Sequence, residues 1–177
     1  MLKKWKKVSE KIFANNKFWT YKIDNFLIDE KFAGEYHYVQ TRGSSMVIPL
    51  TSDNRIILTK QYRYLNDMDS IEFPCGGVEE GFSIEENAIK ELREETGYSC
   101  NSLTKIGYFA PYSGVADEIC YVYLAKDLFY SPLKKDFTED FEIDFFTSEQ
   151  IEQLIENNTI WDGMTLAAWM IAKNKIR

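Results

Sequence analysis

The chain has 177 residues, 45% of them apolar and 15% aromatic, enough to bury one core with a small additional element and too many for a disordered segment. Its formal net charge of −7 excludes a broad cationic face for nucleic acid, while leaving room for a local cationic pocket that takes a small phosphorylated ligand. No apolar run approaches a membrane span, and the basic start MLKKWKKVSEKIF is not followed by the apolar stretch of a signal peptide.

In chain order, residues 18 to 41 mix aromatic and polar residues at period two, as in KFWTYKI and EYHYVQT, and predict strands of a small N-terminal β element. Next, SMVIPL and RIILTKQYR flank the turn cluster TSDN and predict a hairpin. DSIEFPCGG gives a short strand broken by proline and glycines. The helix that follows is well marked. Ser83 and Glu86 have the spacing of a capping box, and Gly97 supplies the stop. Ile84, Ala88, Ile89, Leu92 and Thr96 form an apolar stripe for packing on a sheet. Downstream, KIGYFAPYSG and EICYVYLAKDL predict two strands around a loop, and FEIDFFT another. SEQIEQLIENN and DGMTLAAWMIAK predict helices capped by Ser148 and Asp162. With no internal repeat or Pro/Ser-rich linker, the order implies an α+β domain with a mixed sheet over residues 41–177.

Cys75, Cys100 and Cys120 are too few and too irregularly spaced for a disulfide framework or a Cys-x-x-Cys metal site. They read as packed thiols of a reducing compartment, which places the protein in the cytoplasm. His37, the only histidine, has no nucleophile beside it in the sequence and reads as structural or surface.

Glu91, Glu94 and Glu95 fall within an arc of about 100 degrees that adjoins the apolar stripe of their helix. Glu91 and Glu95 repel as an i,i+4 pair, and negative charge near a helix C-terminus opposes the dipole. Two readings stand. One is a solvated acidic face supported by pairs such as Lys90 and Glu94. The other is a site for a hard cation, Mg²⁺ or Mn²⁺, which prefers oxygen ligands.

The stretch from Gly76 to Tyr98 resembles the Nudix box: Gly, five residues, Glu, seven residues, then Arg-Glu-apolar-x-Glu-Glu-x-Gly-apolar. Lys90-Glu91-Leu92-Arg93-Glu94-Glu95-Thr96-Gly97-Tyr98 fits the second half with Lys90 in place of the family's arginine, and Phe82 stands in place of its first glutamate. In the family those two positions help to fix the loop against the helix. Here lysine lacks arginine's planar fork and phenylalanine has no carboxylate, so the loop is either repacked or weakened. TRGSSMVIPL, ILTKQYR, IEFPCGG and PYSGVADEICYVYLAKDL are similar, in the same order, to the ADP-ribose and nucleotide-sugar pyrophosphatase branch.

The resemblance implies a Nudix-type α/β/α sandwich that hydrolyses the pyrophosphate of a nucleoside diphosphate joined to a sugar or similar group, with Mg²⁺ or Mn²⁺. It implies Glu91, Glu94, Glu95 and the carbonyl of Cys75 as metal ligands, with Glu94 also a catalytic residue beside Glu118. Glu118 becomes a general base or further ligand, with a solvated loop acid as its alternative. Arg42 and Arg63 become phosphate or ribose contacts, or else partners of carboxylates such as Glu72. It also implies a homodimer through the N-terminal element, which it bounds at residues 1–40 and whose Phe18, Trp19 and Tyr21 are core, dimer contact or nucleobase platform. Relatives that cleave ADP-ribose often carry Ser-Pro-Gly after the box, where this chain has Tyr112-Ser113-Gly114, so a GDP-mannose-like nucleotide sugar stands beside ADP-ribose. The alternatives are a Nudix-fold module that binds a nucleotide without cleaving it, favoured by Phe82 and Lys90, and an acidic helix in an unrelated α+β protein.

Overall fold

Strands β1 (Lys6–Asn15), β2 (Thr20–Ile28) and β3 (Lys31–Gln40) form an antiparallel N-terminal sheet in which β2 is central. Strand character is legible in the sequence only from residue 18, and β1 is an addition to that reading. Its solvent-exposed course, with lysines and Glu10 among the apolar residues, hides the alternation. Asn16 closes the β1–β2 turn, its side-chain oxygen accepting from the amides of Phe18 at 2.8 Å and Trp19 at 3.0 Å. This asparagine turn fixes the direction of Lys17, Phe18 and Trp19.

The computed structural model describes residues 2–134 and 140–176. Beyond the first sheet, β4 (Ser44–Pro49), β7 (Cys75–Gly77), β8 (Tyr98–Phe109) and β9 (Cys120–Tyr130) make a mixed sheet in the order β7-β4-β9-β8, with β4 and β9 parallel. A third sheet has the order β10-β5-β6, from β5 (Ile56–Arg63), β6 (Met68–Glu72) and β10 (Glu142–Phe146).

The predicted hairpin between SMVIPL and RIILTKQYR is corrected. The TSDN turn is present, with the Thr51 amide donating to the Arg55 carbonyl at 2.8 Å, but β4 and β5 meet only at the single bridge Leu50–Ile56. Every residue of β4 is buried, so β4 is taken up between two neighbours of the mixed sheet while β5 crosses into the other sheet.

Alternation along β4 and β9 divides the interior. Val47, Tyr123 and Ala125 face Ala88 and Leu92 of α1 (Ile84–Thr96). Met46, Ile48, Val122 and Leu124 face the second core, with Ile56 and Leu58 of β5, Ile151 of α2 (Ser148–Glu156) and Trp169 of α3 (Gly163–Ala172). Helices thus cover both sides of the stacked sheets, an α+β sandwich. Ser83 and Glu86 form the expected capping box, and Gly97 ends α1 with φ of 78°. Asp162 caps α3, whereas α2 is capped by Thr147, not Ser148. The box requires its acceptor three residues on, and Gln150 stands at that distance from Thr147.

The N-terminal sheet is tied to the loop before β9. Val39 pairs with it on both sides, its amide donating to the Val115 carbonyl at 2.8 Å and its carbonyl accepting from Asp117 at 3.1 Å. The Asp117 carboxylate accepts from the Thr41 amide at 3.0 Å and from Gln40 at 3.2 Å. Among the described residues no helix is long and apolar enough to cross a membrane.

Candidate active site

Residues four apart on one helix face share a direction, and α1 uses this to meet the glycine loop with Asn87, Glu91 and Glu95. At the C-terminal end, Glu95 is only 4% exposed; it accepts from the Cys75 amide at 3.2 Å and from the Thr59 hydroxyl at 3.4 Å. In the middle, Gly76 lies so close to Glu91 that a Cβ there would overlap the carboxylate. A side chain at this position would push the Glu91 carboxylate aside, so glycine is what lets the loop backbone reach that carboxylate directly.

Glu94, one step round the helix, is ion-paired with Lys90, which also lies near Glu79 at 3.4 Å and Glu91 at 3.7 Å. Burial works against the Lys90 charge, but the hydrogen bond to Glu94 and the surrounding carboxylates raise its pKa above lysine's ordinary range. Lys90 therefore stays cationic and offsets part of the repulsion within the acidic cluster. Phe82 is 43% exposed at the loop's outer end.

Across from the helix, Glu118 accepts a 2.6 Å hydrogen bond from Ser44, a 4%-exposed hydroxyl at the start of β4. Arg42 pairs with Glu80 at 2.9 Å in solvent. Arg63 grips Glu72 with both arms of its guanidinium, one bond being 2.7 Å from Nε, and Glu72 is 2% exposed. That pairing raises the Arg63 pKa further and commits two of the five guanidinium donors.

All of these groups line one cavity of about 1000 Å³: Arg42, Arg63, Cys75, Glu91, Glu94, Glu95 and Glu118, with Phe18 and Trp19 from the β1–β2 turn. Tyr21 is not in it; its hydroxyl lies 2.7 Å from Nδ1 of His37, the surface role expected of that histidine. The neighbouring Cys120 thiol together with burial pushes the Cys75 pKa up, while the same neighbour effect lowers that of Cys120. A neutral Cys75 thiol turned to its neighbour leaves the backbone as what this residue offers the cavity. Two polar residues that hold the site, Ser44 and Asn87, are not singled out by the sequence. The signal for Asn87 is an amide flanking the apolar stripe at Ala88, where a fully exposed polar residue is the ordinary reading.

Hard oxygen donors without histidine suit Mg²⁺ or Mn²⁺ in preference to zinc or copper. The fit rests on Gly76, whose missing side chain leaves the Glu91 carboxylate against bare backbone, and on carboxylates from two walls of one cavity. Among the described residues no three acidic, cysteine or histidine side chains form a closed ligand set. Glu94 is drawn to Lys90 and Glu95 to the Cys75 amide, as mutual repulsion requires of neighbouring carboxylates.

A family model described as NUDIX domain matches residues 40–168. The chain is 34% identical over 170 residues to the ADP-ribose pyrophosphatase of Bacillus subtilis, covering 92% of each. It is 31% identical over 148 residues to the methanol dehydrogenase activator of Bacillus methanolicus, covering 82% of this chain and 80% of that one. Among solved structures, that of an ADP compounds hydrolase superposes with a TM-score of 0.83 at 19% identity, covering 99% of this chain and 96% of the other.

Proposed function

This chain belongs to the Nudix hydrolase family and is a pyrophosphohydrolase, and from that premise we propose that it cleaves ADP-ribose with the help of Mg²⁺ or Mn²⁺. The observation that carries the reading is the single cavity in which Glu91, Glu94, Glu95 and the Cys75 backbone face Glu118. At about 1000 Å³ it is at the large end of small-molecule sites, as a dinucleotide-sized ligand requires. The relatives' names favour ADP-ribose. The nucleotide-sugar reading keeps one specific support, Ser113 in the segment after the box.

In the reaction, water attacks one phosphorus and the bond from that phosphorus to the bridging oxygen breaks, giving AMP and ribose 5-phosphate. Held by Glu91, Glu94, Glu95 and the Cys75 carbonyl, a divalent cation would supply neutralisation of the two phosphates and acidification of water. Glu118 takes the proton of the attacking water, and the Ser44 hydroxyl orients that carboxylate. Arg42 directs a phosphate, as does any donor of Arg63 not taken by Glu72. Phe82 and Lys90, standing where the box has glutamate and arginine, do not open the loop, because Asn87 and Glu95 hold it to the helix. A purely binding module is therefore the weaker reading. The three free thiols, Cys75, Cys100 and Cys120, suit the reducing conditions of a cytoplasm.

The substrate is tested by product analysis with ADP-ribose, GDP-mannose, UDP-glucose and NADH. AMP and ribose 5-phosphate from ADP-ribose, at a kcat/KM at least about tenfold above the others, is the expected result. A preference for GDP-mannose would transfer the assignment to nucleotide sugars, and silence across the panel from folded protein would favour the binding module.

The partner in assembly is a second copy. β1 is exposed along its whole length and carries Val8, Ile12 and Phe13, while Trp5 stacks on Phe26 in the same sheet. An exposed edge strand with apolar residues calls for a cover, and a symmetric dimer supplies one. Light scattering is expected to give twice the chain's 20.8 kDa; a monomer at micromolar concentration would reject the dimer.

A further inference from the structure

We infer that Asn87 is a positioning residue of the active site, a neutral clamp that holds the glycine loop on α1 so that Gly76 and Cys75 present their backbone beside Glu91 and Glu95. Asn87 is completely buried, and each side of its amide is used. Its oxygen accepts from the Glu79 amide at 3.2 Å. Its nitrogen donates to the Ser45 hydroxyl at 3.0 Å and to the Gly76 carbonyl at 3.4 Å. Glu79 has only a donor to give and Gly76 only an acceptor, so the partners fix which end of the amide faces which.

The three contacts join three elements. Ser45 and Gly76 are register partners across β4 and β7, and Asn87 reaches that pair from the helix. One helical turn on lies Glu91 against Gly76, and one more brings Glu95 to the Cys75 amide. The loop is thus pinned at both ends of a helix face, with Glu91 between the pins. The Glu95 pin is charged, and Lys90 adds a looser ion pair to Glu79 at 3.4 Å. Asn87 is the neutral one, so its hold does not vary with the charge state of the acidic cluster. The Phe82 side chain, being hydrocarbon, gives the loop no polar contact.

Aspartate would be a poor substitute despite its equal size. It keeps the bond from the Glu79 amide but sets an anion against the Gly76 carbonyl and removes the donor to Ser45. Alanine removes all three bonds and leaves the Glu79 amide and Gly76 carbonyl without their helix-side partner.

The consequence for metal affinity rests on the cation reading given above, whereas the consequence for the loop does not. The test therefore has two readouts on the full chain, for the wild type, Asn87→Ala and Asn87→Asp. The first is amide hydrogen exchange without metal. Exchange of Gly76 to Glu79 is expected to accelerate at least about tenfold, while β9 and the body of α1 remain protected. The second is Mn²⁺ titration by calorimetry, where the dissociation constant is expected to rise by about ten- to a hundredfold, the usual effect of losing a group that orients metal ligands. Phe82→Glu with Lys90→Arg in the Asn87→Ala background is expected to recover part of the Mn²⁺ affinity. Unchanged loop exchange, or an increase spread evenly over loop, helix and strands, would overturn the clamp and leave Asn87 an ordinary core residue. If Asn87→Ala does not fold, the isosteric Asn87→Asp decides by the same criteria. Failure of the wild type to bind Mn²⁺ would reject the cation reading, and the exchange data would still decide the clamp.

Discussion

Replacing Glu95 by glutamine is expected to reduce turnover by on the order of a hundred- to a thousandfold while leaving the thermal midpoint level or slightly raised. The side chain keeps its shape and an oxygen for the Cys75 amide, which lies 3.2 Å from the carboxylate in the native protein. What it loses is a charge at the bottom of the cavity, where burial makes the charge worth more to a bound cation than it would be in water. The helix gains by the same loss, because Glu91 and Glu95 form a like-charge i,i+4 pair costing a few tenths of a kcal/mol. Activity and stability should therefore part company. Turnover within about tenfold of the wild type, measured at saturating substrate and Mg²⁺, would remove Glu95 from the metal-binding role.

Arg63→Ala is expected to bring the largest loss of stability among single changes in the cavity wall. Glu72 is 2% exposed and takes two hydrogen bonds from the guanidinium, so truncating Arg63 leaves a buried carboxylate with only the Gln61 amide, at 3.4 Å, as a side-chain donor among the described residues. Stranding one partner of a fully buried pair costs about 3–5 kcal/mol. Because the Arg63 side chain is 44% exposed, water will answer part of that charge, and about 2–3 kcal/mol is the expected loss. For a chain of this size that corresponds to a fall in Tm of roughly 5–10 °C. Adding Glu72→Gln should restore about half, since no charge is then left behind. An Arg63→Ala protein that keeps its Tm but loses substrate affinity would show that the guanidinium serves the ligand and not Glu72.

The two predictions differ in how far the sequence foretells them. Glu91, Glu94 and Glu95 are legible because helical spacing alone puts them on one rim, and the box pattern names their loop partner. Gly76 follows from the same pattern, and its reason, contact with Glu91, needs the fold. The Arg63–Glu72 pair stands only as one of two readings, because residues on neighbouring strands meet according to register, which local pattern leaves open. The β4–β5 hairpin fails for a related reason. A turn signal fixes that the chain reverses, but sheet membership is decided by burial on both faces of β4. β1 escapes notice because a strand exposed along its length carries no hydrophobic period. Asn87 and Ser44 act through partners distant in sequence, Ser45 at one end and Glu118 at the other, and no spacing rule connects them. Similarity to the box also directs attention to Phe82 and Lys90 as departures, whereas the structure supports the loop mainly from Asn87 and Glu95, with Lys90 adding an ion pair to Glu79.

The most direct test of the account is the appearance of AMP from ADP-ribose by protein stripped with EDTA and then titrated with Mg²⁺. Negligible rate after stripping, followed by saturable recovery that Glu95→Gln fails to show, is the predicted result. A rate that survives stripping unchanged, or a Glu95→Gln curve that overlays the wild type, would contradict the assignment of the acidic helix face as the cation site of this hydrolase.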